Sequence, residues 1–234
     1  PDGLSDIQKN ITDIEHHMLN FLDNHDEQRL ASPEFAGTPE KGKPLMVVST
    51  TISTAPTMIY FGQEVGEAAN ENGGFGTNSR TSIFDYVGVP NHQRWMNEGK
   101  FDGGQLSKDE KDLRDFYKRL LNFSVQSSAL MGKFQEIQSS NRNITLGYDI
   151  AIYSYVRWSE TQKLIVVTNF YWLATSNFEL RIPVDIVQKW GLKDGTYTIT
   201  DQLYHQSSIP LRVENGEGKV QITIGPSESF IYSL

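Results

Sequence analysis

The sequence predicts an α/β segment with a parallel sheet, followed by an all-β domain, and three observations lead to this fold class. Strand, helix and strand follow one another with compact connections in the first 61 residues, which is typical of a βαβ unit. After Gly132 the pattern changes to short β segments separated by Gly, Asn or Pro, which is typical of an antiparallel sandwich or barrel. The 234 residues suffice for two domains, and we expect them to span residues 1–131 and 132–234.

The first elements follow from the spacing of apolar residues. Ile7, Ile11 and Ile14 recur at helical spacing and predict a short amphipathic helix over Ser5–Glu15. The next apolar run, Met18–Leu22, is short and predicts a buried strand.

A second strand and the helix that connects the two are expected further along. The apolar segment Pro44–Ala55 follows a predicted Gly42-Lys43 turn, and its length favours a buried helix, although its β-branched residues leave a strand possible. Pro56 ends this segment, and Thr57–Phe61 predicts the second buried strand.

The segment from residue 62 to residue 106 is rich in Gly and Asn, so we expect a functional loop or small local elements.

Ser107 and Glu110 form a capping-box pattern that begins a helix extending to about Ala129. One apolar face of this helix is predicted to be buried, and it comprises Leu113, Phe116, Tyr117, Leu120 and Leu121.

Six strands are predicted in the all-β domain, together with one short helix. The helix covers Val184–Trp190 and is ended by Gly191. The strands are Ala151–Trp158, Leu164–Phe170, Phe178–Ile182, Tyr197–Leu203, Val220–Ile224 and Ser229–Leu234.

The composition excludes several classes of function. The 21 basic and 29 acidic residues give a net charge of −8, so we expect no nucleic acid among the partners. The absence of cysteine excludes disulfides and thiolate metal sites. No apolar run approaches the ~20 residues that a membrane span needs. The chain begins without Met or a signal peptide and is interpreted as a fragment, so its location stays open, with a periplasmic or extracellular one favoured.

The strongest chemical feature is the segment Phe21-Leu22-Asp23-Asn24-His25-Asp26, in which a predicted strand runs directly into polar residues. In parallel α/β folds, ligands bind at this carboxyl end of the strands. A carboxylate, an imidazole and an amide together can hydrogen-bond several sugar hydroxyls. The alternative is a polar strand-to-helix turn with Asp or Asn as the N-cap, and these residues alone do not decide between the two.

The same segment resembles the fourth signature region of glycoside hydrolase family 13, the α-amylase family, where a short strand ends in an aromatic, two variable residues and Asn-His-Asp. Downstream, Pro56–Glu64 resembles that family's eighth barrel strand. Ile83–Tyr86 and Gln93–Trp95 resemble the loop before the last barrel helix, and the aromatic Phe230–Tyr232 resembles the final strand of the β-sandwich. The resemblance therefore covers essentially the whole chain.

This resemblance implies the C-terminal part of a TIM (β/α)8 barrel, followed by an antiparallel β-sandwich. It implies a retaining enzyme of α-amylase type that hydrolyses α-1,4-glucosidic bonds in starch-like polysaccharides. Asp26 corresponds to the Asp that holds the C2 and C3 hydroxyls of the sugar, and His25 to the His that shares this contact. Asn24 and Arg29 are grouped with His25 as substrate-binding residues, and within this group Asn24 is expected to support the loop rather than to touch sugar. Arg29 would pair with Asp26 or another carboxylate, and a plain surface salt bridge is the slightly preferred interpretation.

The chain departs from the family pattern in an important respect. It contains neither the Arg-x-Asp nucleophile motif nor the strand with the acid/base Glu, so it is predicted to be inactive alone. The resemblance thus implies two partners, an α-glucan and the N-terminal half of the same enzyme. No cofactor or metal is expected in this chain, and calcium would be bound through the missing part. The alternatives are a non-catalytic carbohydrate-binding or structural fragment, or a transglycosylase of the same family.

Other candidate residues receive more ordinary interpretations. Glu64 is expected to bond neighbouring loop amides. Tyr60, Trp95 and Phe75 could stack on sugar, although core packing is preferred for the first two. Trp158 and Trp172 could form a surface glucan site, although a buried position is preferred for Trp158. Four isolated histidines lack partners at ligand spacing and are not expected to bind metal, namely His16, His17, His92 and His205.

Overall fold

The computed structural model describes residues 2–70, 80–81, 88–204 and 207–234. The predicted features at Phe75, Ile83–Tyr86 and His205 lie outside these residues. The chain forms two compact units, and we describe each by itself. The β unit comprises Pro1–His17, Thr51–Thr54 and Asn122–Leu234, and the helical unit comprises Met18–Thr50 and Ala55–Leu121. In the part of the chain that the structure describes, no helix is both long and apolar enough to cross a membrane.

The β unit is built on one antiparallel sheet of eight strands with the order β1-β2-β3-β8-β5-β6-β7-β4. All six predicted strands are present, with ends shifted by up to three residues. The strands are β1 (Lys133–Glu136), β2 (Ile152–Trp158), β3 (Lys163–Asn169), β4 (Ser176–Ile182), β5 (Gly195–Asp201), β6 (Ser208–Glu214), β7 (Glu217–Ile224) and β8 (Ser229–Ser233).

Two strands were missed by the sequence pattern. Strand β1 has only four residues and shows no clear apolar alternation. Strand β6 contains Pro210, and proline is disfavoured in strands because it cannot donate to a ladder. In the structure, β6 pairs with β7 only from Arg212 onward, so Pro210 lies where the strand is bonded on one side alone.

The sheet consists of two four-stranded halves joined by a narrow seam. Strands β5 and β8 pair only through Thr200 with Ser233 and through Asp201 with Tyr232. The inner faces of both halves contribute to one core, because side chains alternate between the two faces of each strand. The core includes Val156, Ile165 and Tyr232 from one half and Leu180, Leu211 and Ile222 from the other.

Strand β2 is buried on both faces, and its second face binds the short segments of the β unit. Tyr153 accepts a hydrogen bond from Ser5, at 3.2 Å, and the Tyr155 and Thr51 hydroxyls are hydrogen-bonded. Arg157 is fully buried and donates to the Ile52 carbonyl at 2.6 Å. Residues 153, 155 and 157 lie on one face because the side-chain period of a strand is two.

The β unit also contains helix α1 (Asp2–Ile11) and, further along, α5 (Ser139–Arg142) and α6 (Val184–Lys189), together with 3₁₀ turns at Glu15–His17 and Ser128–Met131. A helix near the N-terminus is confirmed, but it begins three and ends four residues before the predicted Ser5–Glu15, and its apolar side is not the buried one. Ile7 and Ile14 are exposed, whereas Ser5 and Gln8 are buried. The side that packs is thus the polar one, because Ser5 bonds to Tyr153 and Gln8 bonds to Glu15.

The helical unit contains α2 (Pro39–Thr51, whose last residue belongs to the β unit), α3 (Pro90–Met96) and α4 (Lys108–Gln126). Single 3₁₀ turns at Gln63–Val65 and Asn97–Gly99 confirm the small local elements expected after residue 62. The N-terminal part of α4, up to Leu121, lies in this unit and begins with the predicted capping box. The Ser107 amide donates to Glu110 at 2.8 Å, and the Glu110 amide donates to the Ser107 hydroxyl at 3.3 Å.

Helix α2 confirms the predicted helix but begins five residues earlier, so the predicted Gly42-Lys43 turn is wrong. Thr38 accepts a hydrogen bond from the Lys41 amide at 3.3 Å, and Pro39 follows as the first helical residue. A Cβ at Gly42 would lie 2.8 Å from Leu30 Cδ2, so glycine permits the close approach of this helix to Leu30.

The two predicted buried strands, Met18–Leu22 and Thr57–Phe61, are wrong as full strands. They are reduced to one parallel bridge between Asn20 and Thr57. The side chains of Met18 and Phe21 are 40% and 42% exposed, which is atypical of a parallel strand. The described residues give these segments only one parallel bridge, so the barrel part of the predicted fold class remains a prediction.

Candidate functional site

The parallel bridge between Asn20 and Thr57 places two chain segments side by side in the helical unit. The Asn20 amide donates to the Pro56 carbonyl at 2.9 Å, and the Met58 amide donates to the Asn20 carbonyl at 2.8 Å. Because both segments run in the same direction, the residues that follow Asn20 and Thr57 emerge on the same side. The 23–30 loop, which runs from Asp23 to Leu30, follows the first segment.

Asn24 shapes the tip of the 23–30 loop. Its side-chain oxygen Oδ1 accepts hydrogen bonds from the Asp26 backbone amide at 2.7 Å and from the Glu27 backbone amide at 2.9 Å. An Asn side chain that bonds to amides two and three residues ahead forms an Asx turn. This contact holds the backbone at the tip, so that the side chains of His25 and Asp26 project from it.

His25 and Asp26 form an exposed pair at the tip of the loop. The His25 Nε2 atom lies 3.4 Å from Asp26 Oδ2, and the two side chains are 49% and 71% exposed. Arg80 brings its guanidinium to 3.8 Å from the other carboxylate oxygen of Asp26. The site therefore offers one accessible carboxylate with an imidazole on one side and a guanidinium on the other.

The base of the 23–30 loop is held by a buried ion pair. The Arg29 guanidinium lies 3.8 Å from Asp23 Oδ2, and neither side chain is exposed. The Leu30 amide donates to the same Asp23 oxygen at 3.0 Å, and Arg29 Nε donates to the Thr81 hydroxyl at 2.7 Å. The expected pairing of Arg29 with a carboxylate is confirmed, but the interpretation as a surface salt bridge is wrong because Arg29 is fully buried.

Burial shifts the pKa values of both partners in the directions that favour their neutral forms. Desolvation raises the pKa of Asp23, although the Leu30 amide and the Arg29 guanidinium oppose this shift. Desolvation also lowers the pKa of Arg29, and Asp23 opposes that shift. Each charge thus depends on the other for its stabilisation in the interior.

Two aromatic rings cover the Arg29 guanidinium. Its carbon atom lies 4.3 Å from the centre of the Tyr60 ring and 5.0 Å from the centre of the Phe61 ring. Such cation–π contacts stabilise a desolvated guanidinium. Tyr60 therefore packs against a protein cation, and burial raises the pKa of its hydroxyl.

Glu67 performs the role that the sequence suggested for Glu64. This buried carboxylate accepts hydrogen bonds from the Ala69 amide at 3.2 Å and from the Asn91 amide at 3.0 Å. Asn91 also donates to the Val65 carbonyl at 3.0 Å. These contacts hold the segment after Thr57–Phe61 against the start of α3.

His92 and Trp95 belong to an aromatic cluster of the helical unit. Their rings are stacked at 5.6 Å, and Phe61 and Phe101 contact them edge-on at 5.3 Å and 5.9 Å. The packing role preferred for Trp95 is confirmed, and His92 packs in the same cluster. Among the described residues, no three or more His, Asp or Glu side chains are grouped so that they could hold a metal ion.

A cavity of about 420 Å³ lies elsewhere in the helical unit, and none of its lining residues belongs to the 23–30 loop. Pro39, Val65 and Leu113 form its apolar part. Its carboxylates include Glu40 and Glu110, and these are already paired with Lys43 and Arg94. We therefore assign the candidate site to the 23–30 loop.

Three contributors to this site were missed in the sequence: Arg80, Thr81 and Glu67. Arg80 and Thr81 are at least 50 residues from the loop, and no local pattern links them to it. Asp23 lies inside the recognised motif, but a sequence does not reveal that this Asp is buried while Asp26 is exposed.

Comparison with known proteins supports the fold. No family model matches the chain, and no curated protein matches it significantly. Solved structures do match, among them the noncanonic maltogenic α-amylase AmyB from Thermotoga neapolitana, at 15% identity and a TM-score of 0.60 over 97% of this chain and 46% of that one.

Two further solved structures give the same result. The α-amylase from Geobacillus thermoleovorans, complexed with acarbose, is 14% identical, with a TM-score of 0.62 over 98% of this chain and 42% of that one. An Anoxybacillus α-amylase is 16% identical, with a TM-score of 0.60 over 98% of this chain and 41% of that one.

These comparisons define the class of fold. The chain has the fold of the C-terminal portion of α-amylase-family proteins, and its eight-stranded sheet matches their C-terminal β domain. The chain spans less than half the length of these three structures.

Proposed function

We propose that this chain is the C-terminal portion of a retaining glycoside hydrolase of α-amylase type, which hydrolyses α-1,4-glucosidic bonds in starch-like polysaccharides. In this proposal the helical unit contributes the end of a (β/α)8 barrel, and Asp26 is the residue that stabilises the transition state. The observation that carries the proposal is the exposed His25–Asp26 pair on a loop whose base is a buried ion pair.

The chemistry of Asp26 follows from its geometry. A carboxylate accepts hydrogen bonds only, so it suits two neighbouring hydroxyls of one sugar ring. His25 donates to or accepts from one of the same hydroxyls, because its ring adjoins the carboxylate. Hydrogen bonds to ring hydroxyls strengthen as positive charge develops in the oxocarbenium-like transition state, so they accelerate the reaction rather than only binding substrate.

The other residues of the loop support this pair. Asn24 orients the backbone of Asp26, and Arg29 neutralises Asp23 beneath the loop. Their contribution to substrate binding is therefore indirect in this proposal. Arg80 adds a cation beside Asp26 and is a candidate for a further contact with the sugar.

The remaining catalytic groups are assigned to the rest of the barrel. Retaining hydrolysis needs a nucleophile and an acid/base about 5 Å apart, and Asp26 has neither role here. The half-exposed apolar residues of Met18–Leu22 and the single parallel bridge are consistent with a barrel edge whose neighbouring strands belong to another part of the protein. The N-terminal part of the enzyme is thus the proposed partner, and calcium, if bound, is proposed to lie there.

The proposal is tested by measuring starch hydrolysis. The enzyme for this assay is the polypeptide that contains both this chain and the rest of the barrel. We expect Asp26→Asn to lower kcat by about 10²-fold or more, since the lost contact acts mainly in the transition state. Glu27→Gln is the matched control, because it removes an exposed carboxylate from the same loop and should leave kcat unchanged. Full activity of Asp26→Asn would refute the assignment and would favour a non-catalytic carbohydrate-binding role.

A further inference from the structure

A group of exposed apolar side chains lies at one end of the β unit. Two loops meet there, residues 143–151 before β2 and residues 170–175 after β3, because Ile152 pairs with Asn169 and the Phe170 amide donates to Ala151 at 3.1 Å. The exposed side chains on these loops are Ile144, Leu146, Ile150, Tyr171, Trp172 and Leu173.

The second of these loops is held in a defined conformation. Asn169 is fully buried, and its amide donates to the Ala174 carbonyl at 3.1 Å and to the Gly225 carbonyl at 2.9 Å. Its side-chain oxygen accepts from the Tyr171 amide at 2.9 Å. The Tyr171 carbonyl in turn accepts from Ser227 at 3.1 Å. The exposed rings are therefore carried on a bonded turn, which reduces the entropy lost when they bind a ligand.

The surface around these rings is almost neutral. Residues 143–151 and 170–177 include one charged side chain, Asp149, and its carboxylate accepts from the Ala151 amide. The flanking Arg142 is paired with Asp2, and Glu228 accepts from a backbone amide in its own turn. Phosphate groups and anionic lipids attract clusters of Lys and Arg, which this surface lacks.

Neutral hydrogen-bonding side chains lie on strand β4, which follows the loop, and on its partner strand β7. Strand β4 begins directly after the loop, and the exposed Asn177 accepts from Gln221 at 2.7 Å across the β4–β7 ladder. A ligand that offers both apolar faces and neutral hydroxyls fits such a surface. A pyranose ring has these properties, since its C–H face packs on an aromatic ring and its hydroxyls reach amides.

We propose that the aromatic loop Tyr171–Leu173 is an auxiliary binding site for α-glucan chains, with Trp172 as the stacking platform. The proposal rests on the proposed function for its ligand class. Trp172 is 50% exposed and Tyr171 is 41% exposed, so both rings are accessible without unfolding. Such a site keeps a polymeric substrate attached and raises its effective concentration.

Affinity electrophoresis of the full chain in gels with soluble starch tests this inference, with hydroxyethylcellulose as the comparison polymer. We expect starch to retard the wild-type chain more than hydroxyethylcellulose does. Trp172→Ala should weaken the affinity for starch at least about tenfold, as truncation of a central aromatic anchor does. Trp172→Phe should retain part of it. Met131→Ala is the matched control, since Met131 is an exposed apolar residue elsewhere in the β unit.

Three results would overturn the inference. In the first, starch retards Trp172→Ala as much as it retards the wild type. In the second, starch and hydroxyethylcellulose retard the wild type equally. In the third, Trp172→Ala sediments differently from the wild type while its retardation by starch is preserved. The last result would mean that the patch binds a second copy of the chain. Each leaves the assignment of Asp26 untouched, because that assignment is judged by kcat of the complete barrel.

Discussion

The Arg29 guanidinium lies 3.8 Å from the Asp23 carboxylate, and both side chains are completely buried. This pair stands beneath a loop whose tip carries the exposed Asp26. Two carboxylates separated by three residues thus have opposite environments. Asp23 is stabilised by a cation and a backbone amide, whereas Asp26 faces solvent.

Loss of either partner of this pair should strongly destabilise the helical unit. Asp23→Ala or Arg29→Ala leaves an uncompensated buried charge, and we expect each to lower the free energy of unfolding by about 3–5 kcal/mol. Urea denaturation measures this change. The double variant Asp23→Ala/Arg29→Ala should cost less than the sum of the two single variants, and strict additivity would show that the two charges are not coupled. Lys108→Ala, which breaks an exposed ion pair with Asp112, is the control without a measurable effect.

Arg157 should be equally important for the β unit. Its guanidinium donates to the carbonyls of Ile52, Leu130 and Gly132, so it connects three segments of this unit. Arg157→Met keeps the aliphatic stem but leaves buried acceptors without donors, and we expect a loss of at least about 3 kcal/mol in thermal or urea unfolding. Arg212→Met, at an exposed position of β6, should leave the midpoint unchanged, and an equal loss for both variants would contradict this account.

Two glycines with positive φ should differ in their tolerance of alanine. Gly147 has φ +83°, and an added Cβ would lie 2.3 Å from the Asn177 carbonyl oxygen. Gly191 has φ +67° and nothing within 4 Å of the added Cβ. We expect Gly191→Ala to cost about 1 kcal/mol through backbone strain alone, and Gly147→Ala at least about 3 kcal/mol, because the backbone must also move. Thermal unfolding compares them, and similar losses would mean that the loop adjusts freely.

Glu110 should make the stability of the protein depend on pH. Burial raises its pKa, but hydrogen bonds from Arg94 and the Ser107 amide lower it by more, so that the net pKa lies below the usual 4.5. Because the pKa is lower in the folded state, the ionised group stabilises the fold above pH 4.5, and this contribution is lost as pH falls through the folded value.

The variant Glu110→Gln measures this contribution. It should be less stable than the wild type at pH 7, and the difference should shrink as the pH is lowered below 4.5. Arg94→Gln should reduce the same pH dependence, because it removes the cation that lowers the pKa. A difference between wild type and Glu110→Gln that stays constant from pH 7 to pH 3 would disprove the role of this carboxylate.

Local patterns predicted much of the fold, because the interactions that they describe are local. Alternating apolar residues identified six strands, and the Ser107–Glu110 pattern placed the start of α4 correctly. The start of α2 was missed although Thr38 and Pro39 form a recognisable N-terminal signal. The apolar runs around Asn20 and Thr57 failed as strands, since a strand also needs neighbours that a local run cannot specify.

The sequence by itself determined the motif that holds Asp26, six of the described strands and the antiparallel character of the β domain. Only the tertiary structure decided that Asp23 is buried, that Arg29 is its partner and that Arg80 approaches Asp26. The physical reason is that charge and polarity can be read from residue types, whereas desolvation depends on which distant side chains, here Tyr60, Phe61 and Thr81, surround a charged group.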